Sequence, residues 1–483
     1  QAEDETSIQA GHRRRCVEPI VGQKFDDRGV GQRNATTSVG VTPRHDMQVD
    51  FIELAERKGI EYAGADRTSF PLTAAGIGGG FGGALGDGVG FRGEEAHAME
   101  KSGLMETMSD EEDVEDEGED EPLGFFGILK SQPILTSMIA LIPLGFVSFY
   151  LKWGDPLVFG LNFVAIVPMA WLMGKATEDL SAHMGQITGG LLNAWFGNVV
   201  EMLLCIAGLR RGELVVVRST LIGSILSNLL LVTGCSFLFG GMRHKVQEFS
   251  AIGASTNASL MTLSCMCLGL PTIYATILSA ATASELQISR TVSFFLIFVY
   301  IQYLIFQLGT HSFLFADEEE ETADLPLWGA AAVLLCCSVM CSFCSDFLVS
   351  SIEGVVTKFN LSKEFIGIIL LPIVGNAAEH YTSVIVAMRN KMDLSLACAV
   401  GSSCQMALFV TPFTVLVGWA LDQPMSLDLH AFELLVLVMS VLIITSILQD
   451  GYSHWLEGSM LVSAYCVIAI IYFFEEAQYS EII

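Results

Sequence analysis

A carboxylate in the middle of an apolar helix is costly, and this chain carries one twice, at matching positions. Residues Gly189 through Glu201 read GGLLNAWFGNVVE, and Ile366 through Glu379 read IGIILLPIVGNAAE. Setting Gly197-Asn198 on Gly375-Asn376 places Glu201 on Glu379 and, without a gap, Gly223-Ser224 on Gly401-Ser402. Glu201 lies nine residues before Arg210, and Glu379 ten before Arg389. At about 1.5 Å per residue, such a stretch crosses roughly half of a 30 Å hydrocarbon core, so each glutamate is expected near mid-membrane. From there to Gly223 or Gly401 is 22 residues, enough to run half a membrane out, turn, and come half a membrane back. Both Gly-Ser pairs are expected at the depth of the carboxylates.

Composition agrees with a bilayer setting. Of 483 residues, 52% are apolar, and from about Phe125 onward long apolar runs follow one another with short polar breaks. We read eleven spans, at about 133–151, 156–174, 185–209, 215–240, 251–275, 291–314, 326–350, 363–388, 394–419, 430–448 and 455–474. Two readings of the fifth stay open, an extension toward Ala281 and an end or kink at Pro271. The fold class is thus an all-α polytopic membrane protein. The net charge of -28 comes largely from two acidic runs, Asp110 to Glu121 and Asp317 to Asp324. Acidic blocks are usually solvated segments, and the charge disfavours nucleic-acid binding. The Gly-rich tract from Gly76 to Gly90 has no Gly-Lys-Ser/Thr ending, so it reads as a linker rather than a phosphate cradle. Cys341 and Cys344 form a lone CxxC, a weak sign of metal or redox chemistry.

The repeat sets the architecture. Its two copies fall on spans three and eight, so the natural unit has five spans, and two tandem copies of an odd unit face opposite ways across the membrane. The expected division is a disordered hydrophilic region with an acidic end at 1–123, an extra helix at 124–152 and a first five-helix repeat at 153–314. An acidic linker at 315–325, a second five-helix repeat at 326–476 and a short tail at 477–483 complete it. The linker holds Asp317, Glu318, Glu319, Glu320 and Glu321, read as a regulatory segment. Lys and Arg set no orientation, since six fall on one side and seven on the other.

Around the glutamates the residue types point to a hard cation. Asn198 and Asn376, three residues earlier, share a helical face with Glu201 and Glu379. Gly197 and Gly375 permit close approach or local unwinding. Ser224, Ser402 and Gln405 are expected alongside, with Ser227 and His380 on the approach. Carboxylate, amide, hydroxyl and carbonyl oxygen suit Ca²⁺ or Mn²⁺, while softer metals take thiolate or imidazole. Two facing carboxylates neutralise one divalent cation, and empty they repel unless protons take its place. Metal and protons then compete for one pair of side chains, which is the basis of antiport with at least two protons per cation.

At these residues the sequence resembles the calcium/proton exchanger family of the calcium–cation antiporter superfamily. The resemblance rests on GGLLNAWFGNVVE, GSILSNLLLV, GIILLPIVGNAAEH and VGSSCQMALFV, and covers about residues 125–476. It implies Ca²⁺/H⁺ exchange without a cofactor, a vacuolar or other acidic-organelle membrane, and a cytosolic N-terminus. It also implies Ca²⁺ ligation by Glu201 and Glu379, within a shell of Gly, Asn, Ser and Gln. Glu178 matches a family carboxylate associated with gating or cation entry, and Asp346 is a further candidate for that role. Trp195 and Cys404 depart from the family pattern, standing where a small polar residue and Thr are common. Two alternatives stay open. A Na⁺-coupled exchanger would carry Ser-Ala-Pro-Glu and Ser-Val-Pro-Asp type motifs, which are missing, and a non-transporting Ca²⁺ sensor would need an EF-hand loop, which neither acid run provides. No nucleophile or paired-His arrangement supports an intramembrane enzyme.

Overall fold

The computed structural model describes residues 124–278, 282–312 and 323–474. The 1–123 region, the acidic run Asp317 to Glu321 and the tail from 477 lie outside these residues, and so do the expectations placed on them.

Among the described residues, eight unbroken helices are long and apolar enough to cross a membrane. They are Pro133–Tyr150, Asp155–Met184, Leu214–Arg243, Ala251–Ile277, Ser284–Thr310, Leu327–Phe359, Met392–Ala420 and Trp455–Phe474. Two further crossings are each broken near the middle. Ile187–Phe196 and Val199–Arg211 meet at 41°, and Lys363–Gly375 and Ala377–Met388 meet at 56°. These are the third and eighth expected spans, so the repeated motif is where the helices break. The tenth expected span is Ala431–Ile447, only 17 residues long. Among the described residues the structure therefore gives eight to ten full-length crossings plus this short helix, where eleven spans are expected.

Several helices outrun their apolar segments. The second continues ten residues past the expected end at 174, through Lys175, Glu178 and Asp179, because those charges are compensated. Lys175 pairs with Asp179 at 3.5 Å and with Asp324 at 2.9 Å, and the Asp324 backbone N–H donates to Asp179 at 3.1 Å. Pro271 does not end the fifth span, which runs on through it. Proline is tolerated inside membrane helices where neighbours re-satisfy the freed backbone groups.

The fourth and ninth spans are the pillars of the molecule: 83% and 78% of their apolar windows are buried inside the protein, against 11% for the first span. Their buried faces share one apolar core, with Leu221, Ile225 and Leu229 facing Val400, Leu408 and Val410. A second core joins the second and seventh spans through Ile166, Met169, Met173, Leu334 and Leu348, with Cys341 and Cys344 fully buried in it. The first span leans on the outside of that core, stacking Phe149 on Phe347 at 4.0 Å between ring centroids. A two-stranded pairing, Gln247–Glu248 against Tyr452–Ser453, ties the loop after the fourth span to the loop before the last.

The two faces of the membrane domain are fixed by contacts. Gly124 N donates to the Asp324 carbonyl at 3.2 Å, and His183 Nε2 lies 2.8 Å from the Leu325 carbonyl. The N-terminal end, the end of the second span and the end of the linker thus share one face, here called the N-terminal face. Arg211, Glu213 and Lys363 lie on the far face.

Candidate functional site

The two breaks create the site. Asn198 and Asn376 stand at the N-cap positions of the half-helices Val199–Arg211 and Ala377–Met388, yet neither side chain caps its helix. Both reach across to the other half of the chain instead. Asn198 Nδ2 donates to Gln405 Oε1 at 2.8 Å, and Asn198 Oδ1 accepts from Ser402 Oγ at 3.1 Å. Asn376 Nδ2 donates to the Ser224 carbonyl at 3.1 Å. The expectation that the Gly-Ser pairs return to the depth of the carboxylates is met by these contacts.

Each glutamate sits three residues into its half-helix, in the first turn, where the helix dipole favours an ionised carboxylate. Glu201 is 1% exposed and lies against the other repeat, since a Cβ on Gly375 would stand 2.7 Å from Glu201 Oε1. Glycine is required there by that close approach. Glu379 is half-buried, and the charges of the two glutamates act on one another. His380 Nδ1 donates to the Asn376 carbonyl at 2.8 Å, which leaves Nε2 as the free acceptor.

A set of acceptors without donors surrounds the pair. Among the described residues, both Glu201 oxygens, Glu379 Oε2, Asn376 Oδ1, Ser224 Oγ, Asn228 Oδ1 and His380 Nε2 are buried with no hydrogen-bond partner. One such atom costs about 1–3 kcal/mol, so a cluster of this kind is not a packing solution. A cation or added protons would satisfy these atoms. No three His, Cys, Asp or Glu side chains converge among the described residues, so the donors are two carboxylates plus amide and hydroxyl oxygens, a set suited to a hard ion.

Asn228 was not among the expected site residues. It is fully buried and donates to Ser402 Oγ at 3.1 Å, extending a polar ladder from the fourth span through Ser402 and Asn198 to Gln405. Its signal was present as a lone amide inside the apolar run GSILSNLLLV. A π-helical turn over Ser227–Val232 follows the fourth span's Gly-Ser pair, and another over Met406–Val410 occupies the aligned place in the ninth. Such turns concentrate at functional sites because they re-aim side chains within a helix. Ser227, expected on the approach, is instead fully buried at the start of that turn. Glu178 lies half-buried on the second span, within electrostatic reach of Lys175 at the N-terminal face. Asp346 is on the far face, held by Arg211 at 2.7 Å.

The site is not equally enclosed on its two sides. Toward the far face the fourth and eighth spans cross tightly: a Cβ on Gly223 would run into the Ile368 carbonyl, and one on Gly367 would meet Ser219 Cβ at 2.6 Å. The aligned crossing, between the third and ninth spans, is not made. A Cβ on Gly401 would meet nothing within 4 Å, and Gly189 and Gly190 face Ser181 and Leu308 instead. Thr188, Leu191, Asn193 and Trp195 on that half-helix are exposed. The cleft therefore opens toward the N-terminal face.

This geometry has known counterparts. The family model described as sodium/calcium exchanger protein matches residues 155–309 and 329–474, more than half the chain. A Ca(2+)/H(+) antiporter of Aphanothece halophytica is 41% identical over 365 residues, covering 72% of this chain and 98% of that protein. The chain belongs to the sodium/calcium exchanger protein family, in its calcium/proton exchanger branch. Another member of the family, the vacuolar calcium ion transporter of Schizosaccharomyces pombe, is 40% identical over 345 residues, 70% of this chain and 84% of the relative. Among solved structures, the Ca2+/H+ antiporter protein YfkE is 34% identical with a TM-score of 0.63, over 71% of this chain and 99% of that one. The matched region takes in both broken spans of this chain, and the chain is an integral membrane protein.

Proposed function

We propose that this exchanger moves Ca²⁺ out of the cytosol in exchange for H⁺ across a vacuolar or other acidic-organelle membrane. Mn²⁺ is a second substrate that an oxygen cage accepts. The observation that carries the reading is the group of buried acceptors around Glu201 and Glu379, which two protons or one divalent cation would satisfy equally. The antiporter names of relatives near 40% identity support it.

In this reading Glu201 and Glu379 are the shared ligands. Asn198, Asn376, Ser224, Ser402 and Gln405 supply the surrounding oxygens, and Gly197 and Gly375 allow the breaks that bring them together. His380 stands at the approach, and Glu178 attracts cations at the N-terminal face. That face is cytosolic. The division into an extra helix, two five-helix repeats and an acidic regulatory linker is part of the same proposal, as is the absence of any cofactor or enzymatic step.

Charge balance then gives the mechanism. With neither ion bound, two ionised carboxylates in a low-dielectric site repel, so the site changes sides only when neutralised. Ca²⁺ from the N-terminal face displaces protons from the pair, and protons from the far side displace Ca²⁺. ⁴⁵Ca²⁺ uptake into proteoliposomes under an imposed acid-inside gradient tests this. Gradient-dependent uptake is expected, while uptake driven by Na⁺ and indifferent to pH would overturn it.

A further inference from the structure

Two ionic ties on the far face connect the seventh span to the two broken spans that carry the glutamates. Arg211, which ends the Glu201 helix, makes a two-point contact with Asp346 of the seventh span: Nη2 to Oδ2 at 2.7 Å and Nε to Oδ1 at 3.1 Å. Lys363, which begins the eighth span on the other side of the break from Glu379, lies 2.8 Å from Glu353 in the seventh span's continuation and 2.9 Å from Glu213 in the turn after Arg211. These five residues join both halves of the chain at the side where the Gly223 and Gly367 crossings are shut.

The N-terminal face cannot make the same ties. Carrying the repeat alignment through, Arg389 and Lys391 occupy the places of Arg211 and Glu213, while Pro168, Lys175 and Gly185 occupy those of Asp346, Glu353 and Lys363. Every charged residue in that second set is a cation. Lys175 turns instead to Asp179 and Asp324. The face that carries this five-residue set is the closed one, and the open face carries a different set of ion pairs.

We propose that Arg211–Asp346 and Glu213–Lys363–Glu353 form a clasp, in which the seventh span holds the far-side gate shut and biases the resting exchanger toward the N-terminal face. The clasp residues position the gate and do not touch the transported ion. Opening to the far side requires the seventh span to part from the outer ends of both site helices. The residues are a quarter to two-thirds exposed, and exposed pairs are individually weak, so losing both ties should shift the balance between faces by about threefold to tenfold. Asp346, read from sequence as an entry residue, is thereby given a different task.

The test is side-specific labelling of Asn193→Cys, on the exposed half-helix of the open cleft, in the full-length chain with its 12 native cysteines replaced. A membrane-impermeant maleimide applied from the N-terminal face should react more slowly when Arg211→Gln and Lys363→Gln are added together, by the drop in the N-facing fraction and so by at most about tenfold. The exchange Arg211→Asp with Asp346→Arg should restore the rate, which a general loss of folding would not do. In the same proteins the apparent Ca²⁺ affinity from that face should fall by the same factor. Unchanged labelling in the double variant, or a swap no faster than Arg211→Asp alone, would overturn the clasp. The labelling arm needs no transport, so it stands apart from the exchange reading, which fails separately if wild-type protein shows no H⁺-driven Ca²⁺ uptake.

Discussion

Glu201 and Glu379 occupy aligned positions in one repeated motif, yet the protein treats them differently. Glu201 is sealed, pressed on Gly375 and flanked by the Asn198–Gln405 and Asn198–Ser402 bonds. Glu379 is half-buried, with His380 beside it and an Asn376 side chain held only through a backbone carbonyl. The aligned partner of Gln405 is Ser227, too short to reach across as the glutamine does. The repeated motif holds two equivalent carboxylates, and the residues around them leave one sealed and the other partly exposed.

The largest effects should come from removing either charge. Glu201→Gln and Glu379→Gln are each expected to reduce H⁺-driven ⁴⁵Ca²⁺ uptake at least about 100-fold, because one carboxylate cannot neutralise a divalent cation in a low-dielectric site. If either variant kept a tenth of wild-type uptake, the two would not be joint ligands. Next come the aligned glycines. Gly375→Ala drives a methyl into the sealed Glu201 carboxylate, the end of a side chain rather than backbone, so uptake should fall about tenfold or more with a smaller loss of thermal stability than a backbone clash causes. Gly197→Ala meets the Asn193 carbonyl at 2.8 Å, which is backbone, so it should lower thermal stability as well. Gly401→Ala enters open space and should do neither.

A smaller effect separates the two carboxylates by pH. If protons and Ca²⁺ compete for the pair, apparent Ca²⁺ KM should rise as pH falls on the N-terminal side, by at most about tenfold per unit for each competing proton. Gln405→Leu, which strips the amide from the Asn198 side alone, should raise KM with little change in that pH slope. The smallest expected change lies in the far-face loop. Burial, with Glu285 nearby, raises the Asp428 carboxyl above its ordinary range despite Arg218 and His430. Its folded form therefore favours the proton, and the stability it contributes below the unfolded pKa is lost as pH rises through the folded one. Asp428→Asn should raise the melting temperature slightly at pH 7 and not at pH 3.

Much of this was legible from sequence because the costs are local. A mid-membrane carboxylate, a glycine before it and a polar pair 22 residues on are each hard to place in lipid, so their recurrence located the breaks and the facing spans. Helix ends were less legible where charge is cancelled at a distance: nothing near Lys175 shows that Asp324 will meet it. The same holds for Arg290, inside the sixth helix, whose guanidinium lies 4.8 Å over the Trp419 ring. The cross-repeat partners were hidden for the same reason, since Asn198 and Gln405 are 207 residues apart. Asymmetry between the faces was least visible, because it depends on which crossing is packed as well as on which residues stand at the aligned positions.

The short helix Ala431–Ile447 has a consequence for the surrounding lipid. At about 1.5 Å per residue it is some 25 Å long, below the roughly 30 Å thickness of an average hydrocarbon core. Lipid that thins to meet it does so at a fraction of a kcal/mol for each ångström of mismatch. Where it does, the exchanger carries a local dimple in the bilayer along one flank, and membranes that are thinner or more compressible should accommodate it at lower cost than thick, sterol-stiffened ones.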